Sequence, residues 1–150
     1  MSRRIALCVT AGVVVLGGAG AFALAYAGEQ PPSLAHSTAT YTAPDGDRDG
    51  SLTFGTDVKV SSGVKSVKVL AWPQDSSFAK DKLTVKDMAS AEQAVCKPSV
   101  KDTVHCTYTT KATTSEAKSS PRGVWHVAVL ATAKDGTQTL NTKAADFVVK

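Results

Sequence analysis

The chain has 150 residues, 43% of them hydrophobic, with 17 basic and 13 acidic residues and a formal net charge of +4. That length fits one ordinary domain. The lysines alternate with Thr, Ser and Val instead of clustering, so no basic stripe for nucleic acid is present, and the pattern is that of a solvated face.

Met1-Ser2-Arg3-Arg4 precedes an uncharged run from Ile5 to Leu24, and Ala25-Tyr26-Ala27 has the small-x-small form that signal peptidase accepts. Residues 1–27 are therefore expected to be a signal peptide cut before Gly28, and the protein is expected to be secreted. The competing expectation is a membrane anchor kept at residues 5–27, since about 20 apolar residues span a bilayer. Gly12, Gly17, Gly18 and Gly20 dilute that run. Cys8 lies too early in it for lipoprotein processing and counts as one more apolar residue. Loss of Arg3 and Arg4 leaves 15 basic against 13 acidic residues, so the mature charge drops to +2.

Residues 28–42 (GEQPPSLAHSTATYT) are rich in Pro, Ser and Thr and poor in large apolar residues, which predicts a flexible leader with His36 incidental in it. The domain is expected over residues 43–150. It begins with APDGDRDGSL, residues 43–52, where Asp45, Asp47, Asp49 and Gly50 match the first half of a calcium loop. The match fails at the bidentate acid, whose place Thr56 holds, with Asp57 one position late. An acidic Asp/Gly turn is the competing reading. Calcium held by Asp45, Asp47, Asp49 and Asp57 stays the one cofactor to consider.

Residues 51–60 predict a strand that directs Leu52, Phe54 and Val58 inward, with a break or bulge at Gly55. Ser61, Ser62 and Gly63 form a turn. Residues 64–72 predict a second strand, stopped by Pro73, and its terminal Trp72 is the expected contact surface. Residues 74–95 are undecided between a short strand at Leu83 and Val85 and a brief helix capped by Asp87. Residues 103–111 alternate clearly, with Val104, Cys106 and Tyr108 inward and His105, Thr107 and Thr109 outward. Residues 112–122 (ATTSEAKSSPR) read as a mobile polar loop.

Residues 123–150 predict a β-hairpin. Two runs of β-branched and aromatic residues flank Lys134, Asp135, Gly136 and Thr137, where Asp-Gly meets the positive φ demanded by a tight turn. Trp125, Val127, Val129, Ala131 and Ala133 share one apolar face. Val124, His126, Ala128, Leu130 and Thr132 share the other, more mixed one. In an exported protein the two remaining cysteines, Cys96 and Cys106, are expected to pair. The loop so closed is worth about 2.7 kcal/mol in the chain-entropy picture.

Short strands, dispersed turns and no long helix predict an all-β, immunoglobulin-like antiparallel β-sandwich of about seven strands. The succession GSLTF, VKVSSGVKSVKV, GVWHVAV and AKDGT resembles the bacterial immunoglobulin-like and fibronectin-like domains of exported proteins. With the signal segment and the Trp72-Pro73 ending, the chain resembles a family of small exported actinobacterial proteins of unknown function. The short Cys96 to Cys106 spacing departs from the inter-sheet disulfide of antibody domains. Such resemblance implies a fold and no activity.

His36, His105 and His126 each lack a motif around them, and there is no Gly-x-Ser-x-Gly elbow, so catalysis is not expected. The leading expectation is a non-catalytic exported binding or structural module that engages an unidentified protein or a cell-wall glycan, with Trp72 or Trp125 as anchor. The alternatives are a secreted protease inhibitor, presenting residues 97–105 or 112–122, and a calcium-stabilised extracellular domain.

Overall fold

The structure, a computed structural model, describes residues 30–150 and the backbone of a short strand at residues 21–24. The expected signal peptide, its cleavage site before Gly28 and Cys8 lie outside the described residues, that strand excepted. Among the described residues nine strands form, β1 (Ala21–Leu24), β2 (Ser33–Thr42), β3 (Gly50–Lys59), β4 (Val64–Pro73), β5 (Glu92–Gln93), β6 (Val95–Pro98), β7 (Thr103–Ala112), β8 (Gly123–Ala133) and β9 (Gln138–Val149). They make two antiparallel sheets, ordered β1-β9-β8-β4-β5 and β2-β3-β7-β6. The fold is an all-β sandwich. Among the described residues no helix is long and apolar enough to cross a membrane.

Residues 33–42 are not a flexible leader. They pair along β3 from Ser33 opposite Lys59 to Thr42 opposite Ser51, and Leu34, Ala39 and Tyr41 pack on the core. A bulge between Ala35 and Thr38 shifts the register, so the two-residue period that marks a strand is broken in the sequence at His36, whose φ is 52°. The expected bulge at Gly55 is absent. β3 runs through in regular register opposite β7, with Leu52, Phe54, Thr56 and Val58 all buried on its inner face.

Two apolar layers hold the sandwich. The first lies between the sheets and is built from Leu52, Phe54, Val58, Val67, Val69, Cys106, Val127, Val129, Ala131, Phe147 and Val149. The second covers the outer face of the larger sheet. There residues 74–91 fold over β4, β8 and β9 in two short 3-10 turns, Ser77–Ala79 and Asp87–Ser90, and seat Leu83 and Met88 on Trp72, Ala128, Leu130 and Leu140. The mixed face of β8 is therefore as buried as its apolar face. Val127 to Ala131 are all at most 4% exposed, which is the pattern of a strand covered on both sides.

The helix considered at Asp87 reduces to one of these 3-10 turns. The Asp87 carboxylate instead accepts hydrogen bonds from the Thr84 hydroxyl and backbone N–H, both at 2.7 Å. The polar loop at 112–122 holds a helix, α1 (Thr114–Ser119), with a full capping box between Thr113 and Glu116. In the hairpin turn only Gly136 has positive φ, 92°. The Asp135 carboxylate accepts from the Thr137 N–H at 2.8 Å and from its hydroxyl at 2.7 Å, which shapes the turn without a second left-handed residue.

Half-buried Tyr108 shows what the inner layer does to a phenol. Burial, aided by a hydrogen bond with Glu92, pushes its pKa up to about 12 from 10.0. The folded state thus keeps the neutral phenol while the unfolded chain ionises near pH 10. The contribution is fully present below pH 10 and is lost as pH rises towards 12. An absorbance titration is expected to show a phenol ionising near pH 12, with stability falling over the same window. Tyr108→Phe is expected to remove that fraction of the alkaline loss.

Candidate functional site

Where β7 ends, the two sheets do not close on each other. A cavity of about 300 Å³ opens there, walled by Tyr41, Leu52, Ala71, Trp125, Phe147 and Val149, with Thr110, Glu116, Ala117 and Ser120 towards its rim. Three rings form a sloping row along it. Tyr41 and Phe147 lie 5.7 Å apart at 29°, and Phe147 and Trp125 lie 5.9 Å apart at 26°. Offset, near-parallel rings at such spacing attract each other beyond the area they bury. Trp125 belongs to the inner face of β8, as its alternation predicts, but it stays partly exposed because the gap lies over it.

Helix α1 closes one side of the gap. It is tied by the Trp125 indole N–H, which donates to the Pro121 carbonyl at 2.9 Å. Its first turn is fixed by Glu116, whose Oε2 accepts from the Thr113 N–H at 2.9 Å and from the Thr113 hydroxyl at 2.8 Å. Those bonds, the backbone one foremost, hold the Glu116 carboxyl below the usual carboxylate range. The wall carries no imidazole or thiol, and its polar side chains are those of Tyr41, Thr110, Lys111, Glu116 and Ser120. Helix α1 was missed from the sequence, although the Thr-x-x-Glu spacing of Thr113 and Glu116 is a capping-box signal that could have found it. The cavity itself had no local signal, because its walls come from six separate strands and α1.

A second cluster stands on the outer face of the smaller sheet. Asp57 of β3 accepts from His105 Nδ1 at 2.7 Å and from His36 Nδ1 at 3.0 Å. These bonds, that of His105 foremost, hold the Asp57 carboxyl below its ordinary value. The His105 ring lies over Gly55, where a Cβ would meet its Cε1 and Nε2 at 3.6 Å, an ordinary contact. His36, expected to be incidental, is thus a partner of Asp57.

Asp57 is therefore not part of a calcium set with Asp45, Asp47 and Asp49. Those three border a tight turn in which Asp45 and Arg48 exchange backbone hydrogen bonds at 3.0 and 3.1 Å around Gly46, whose φ is 56°. Among the described residues no three His, Cys, Asp or Glu side chains are arranged to hold a metal ion. Cys96 and Cys106 form a disulfide between directly opposed residues of β6 and β7.

Trp72 is not a contact surface. It is 3% exposed, lies edge-on to Phe78 at 6.3 Å and tilted on His126 at 4.7 Å, and donates its indole N–H to the Thr142 carbonyl at 3.0 Å. His126 sits beneath it. Its Nδ1 contacts Asp146 Oδ1 at 2.6 Å and its Nε2 is buried with no partner. The His126 side chain is 7% exposed, whereas that of its partner Asp146 is 59% exposed.

Residues 34–131 match the sequence profile of a protein family described as a family of unknown function (DUF5707). No curated protein and no solved structure matches significantly.

Proposed function

This chain belongs to that family of unknown function, and from its own geometry we propose that it is a non-catalytic binding module of the cell exterior that seats a compact apolar group in the aromatic cavity beside Trp125. The observation that carries the reading is the 300 Å³ gap lined by Tyr41, Trp125 and Phe147. Ligand pockets begin at about this size and are mostly apolar. A dry apolar cavity of about 150 Å³ already holds benzene, so this gap has room for a substituted ring or a short branched chain. The sheet orders support an immunoglobulin-like type. β2-β3-β7-β6 and β9-β8-β4 reproduce the ABED and GFC arrangement of that fold. Export is supported by the signal-like residues 1–27 and by the Cys96–Cys106 bond.

Protease inhibition and calcium stabilisation are less favoured. Residues 99–103 are closed into a hairpin tip by the Ser99 N–H to Thr103 carbonyl bond and the Thr103 N–H to Val100 carbonyl bond, and residues 114–119 are helical. Neither the hairpin tip nor the helix is an extended segment. The acids of the calcium reading are split between a turn and the Asp57 cluster.

Trp125 reports on the cavity directly. With Trp72→Phe leaving it the sole tryptophan, its emission is expected to shift and saturate on titration with toluene. Ala117→Phe, which fills the gap, is expected to abolish the response. Emission that ignores the probe, or that responds equally in the filled variant, would contradict the reading.

A further inference from the structure

The two sheets treat their outer faces differently. That of the larger sheet is covered by residues 74–91, whereas nothing among the described residues covers that of the smaller. Because Leu52, Phe54, Thr56 and Val58 point inward, the odd-numbered residues of β3 point outward, and those of β7 follow them in register. We propose that this bare face binds a linear polyanion of phosphodiester-linked polyol units. The surface borders the aromatic cavity through Lys111, which lines both, and does not rest on that reading.

Charge is the first argument. Lys59, Lys97 and Lys111, far apart in the chain, all emerge on this face and all are exposed. Its one acid, Asp57, is occupied by the N–H groups of His105 and His36. An approaching anion therefore meets ammonium groups, imidazoles and hydroxyls but no uncommitted carboxylate within the face. Asp102 stands beside it at the hairpin tip, and Asp45, Asp47 and Asp49 stand in the turn beyond Thr42.

Chemistry and shape then select the polymer. Thr40, Thr53 and Thr109 sit opposite one another in a single row across three strands, about 4.8 Å from one to the next. Such a row supplies hydroxyl donors to phosphate oxygens and to polyol hydroxyls alike. Lys97 stands opposite His105 on β7, about 20 Å along that strand from Lys111 at about 3.3 Å per residue, so the lysines track an extended chain and not a single anion. The face carries no Phe, Tyr or Trp on which a base could stack and no arginine for bidentate readout, which disfavours nucleic acid. Lysine is a point charge that suits a mobile phosphate.

The test is titration calorimetry of the full chain with a poly(glycerol phosphate) of defined length, beside neutral dextran and a single-stranded dT oligonucleotide of equal charge. The glycerol phosphate polymer is expected to bind, more weakly as salt rises. The triple variant Lys59→Gln, Lys97→Gln, Lys111→Gln is expected to bind at least tenfold more weakly. The triple variant Lys65→Gln, Lys86→Gln, Lys150→Gln, with the same loss of charge elsewhere, is expected to stay within twofold of the parent. Equal weakening in both triples would reduce the effect to net charge and overturn the proposal. So would absence of binding at low salt, equal binding of dextran, or tighter binding of the oligonucleotide.

Discussion

Trp72→Ala is expected to lower the unfolding free energy by about 3–5 kcal/mol, the range for truncating a large buried aromatic. The side chain is 3% exposed and holds the second apolar layer together, touching Phe78 from residues 74–91 and His126 from β8. Removing it opens a void and leaves the Thr142 carbonyl without its indole donor. Lys143, whose ammonium lies 5.7 Å from the ring centre, loses a small further contribution. Trp72→Phe keeps most of the volume but not the N–H, so it is expected to cost less. Urea unfolding followed by circular dichroism measures both. A surface tryptophan would cost well under 1 kcal/mol on truncation, so a loss that small would place Trp72 on the exterior after all. Limited proteolysis adds a local readout, since residues 74–91 are expected to be cut first in Trp72→Ala.

The sequence speaks about strands and falls silent about what lies over them. Alternation over 103–111 and 123–133 placed Cys106 inward and His105 outward, as observed, because a residue's side of a sheet is decided by parity alone. Parity does not say whether the far side meets water. Trp72 was expected at a surface because it ends its strand before Pro73, with residues 74–95 undecided, yet Leu83 and Met88 from that segment close a second core on it. Isolated apolar residues in an irregular segment leave no periodic trace. β2 was lost for a related reason: one bulge at His36 moves Leu34 out of phase with Ala39 and Tyr41.

The candidate sites were legible in parts and not as assemblies. Trp125 was named as an inner-face residue and a possible anchor, but its neighbours Tyr41 and Phe147 lie at opposite ends of the domain sequence. The lysines looked dispersed because they are dispersed along the chain; only the register of β3, β7 and β6 gathers them on one face. Asp57 shows the converse error. It was grouped with Asp45, Asp47 and Asp49 by sequence distance, while the strand it occupies carries it to two histidines that are 21 and 48 residues away.

Replacing both Cys96 and Cys106 by alanine is expected to cost about 2.7 kcal/mol from restored freedom of the unfolded chain, for a bond between residues 10 apart. Two features set how the loss is expressed. The bond joins an edge strand, β6, to the interior of its sheet, and Cys106 is fully buried against Phe54 and its neighbours. Alanine at Cys106 therefore adds a packing penalty, and the variant is expected to lose more stability than the parent loses on reduction. The hairpin tip is also tied independently, since the Val60 N–H donates to the Asp102 carbonyl at 2.9 Å, so the tip is expected to stay folded while β6 frays. Thermal unfolding of the parent with and without dithiothreitol, compared with the double variant in both conditions, separates these contributions. The parent alone should respond to the reductant. A parent whose melting is untouched by complete reduction, verified by thiol counting, would refute the stabilising role. Amide exchange completes the argument: protection is expected to fall at Val95 to Pro98 and to persist in β3 and β7, because the edge strand depends on the bond and the central pair depends on the core.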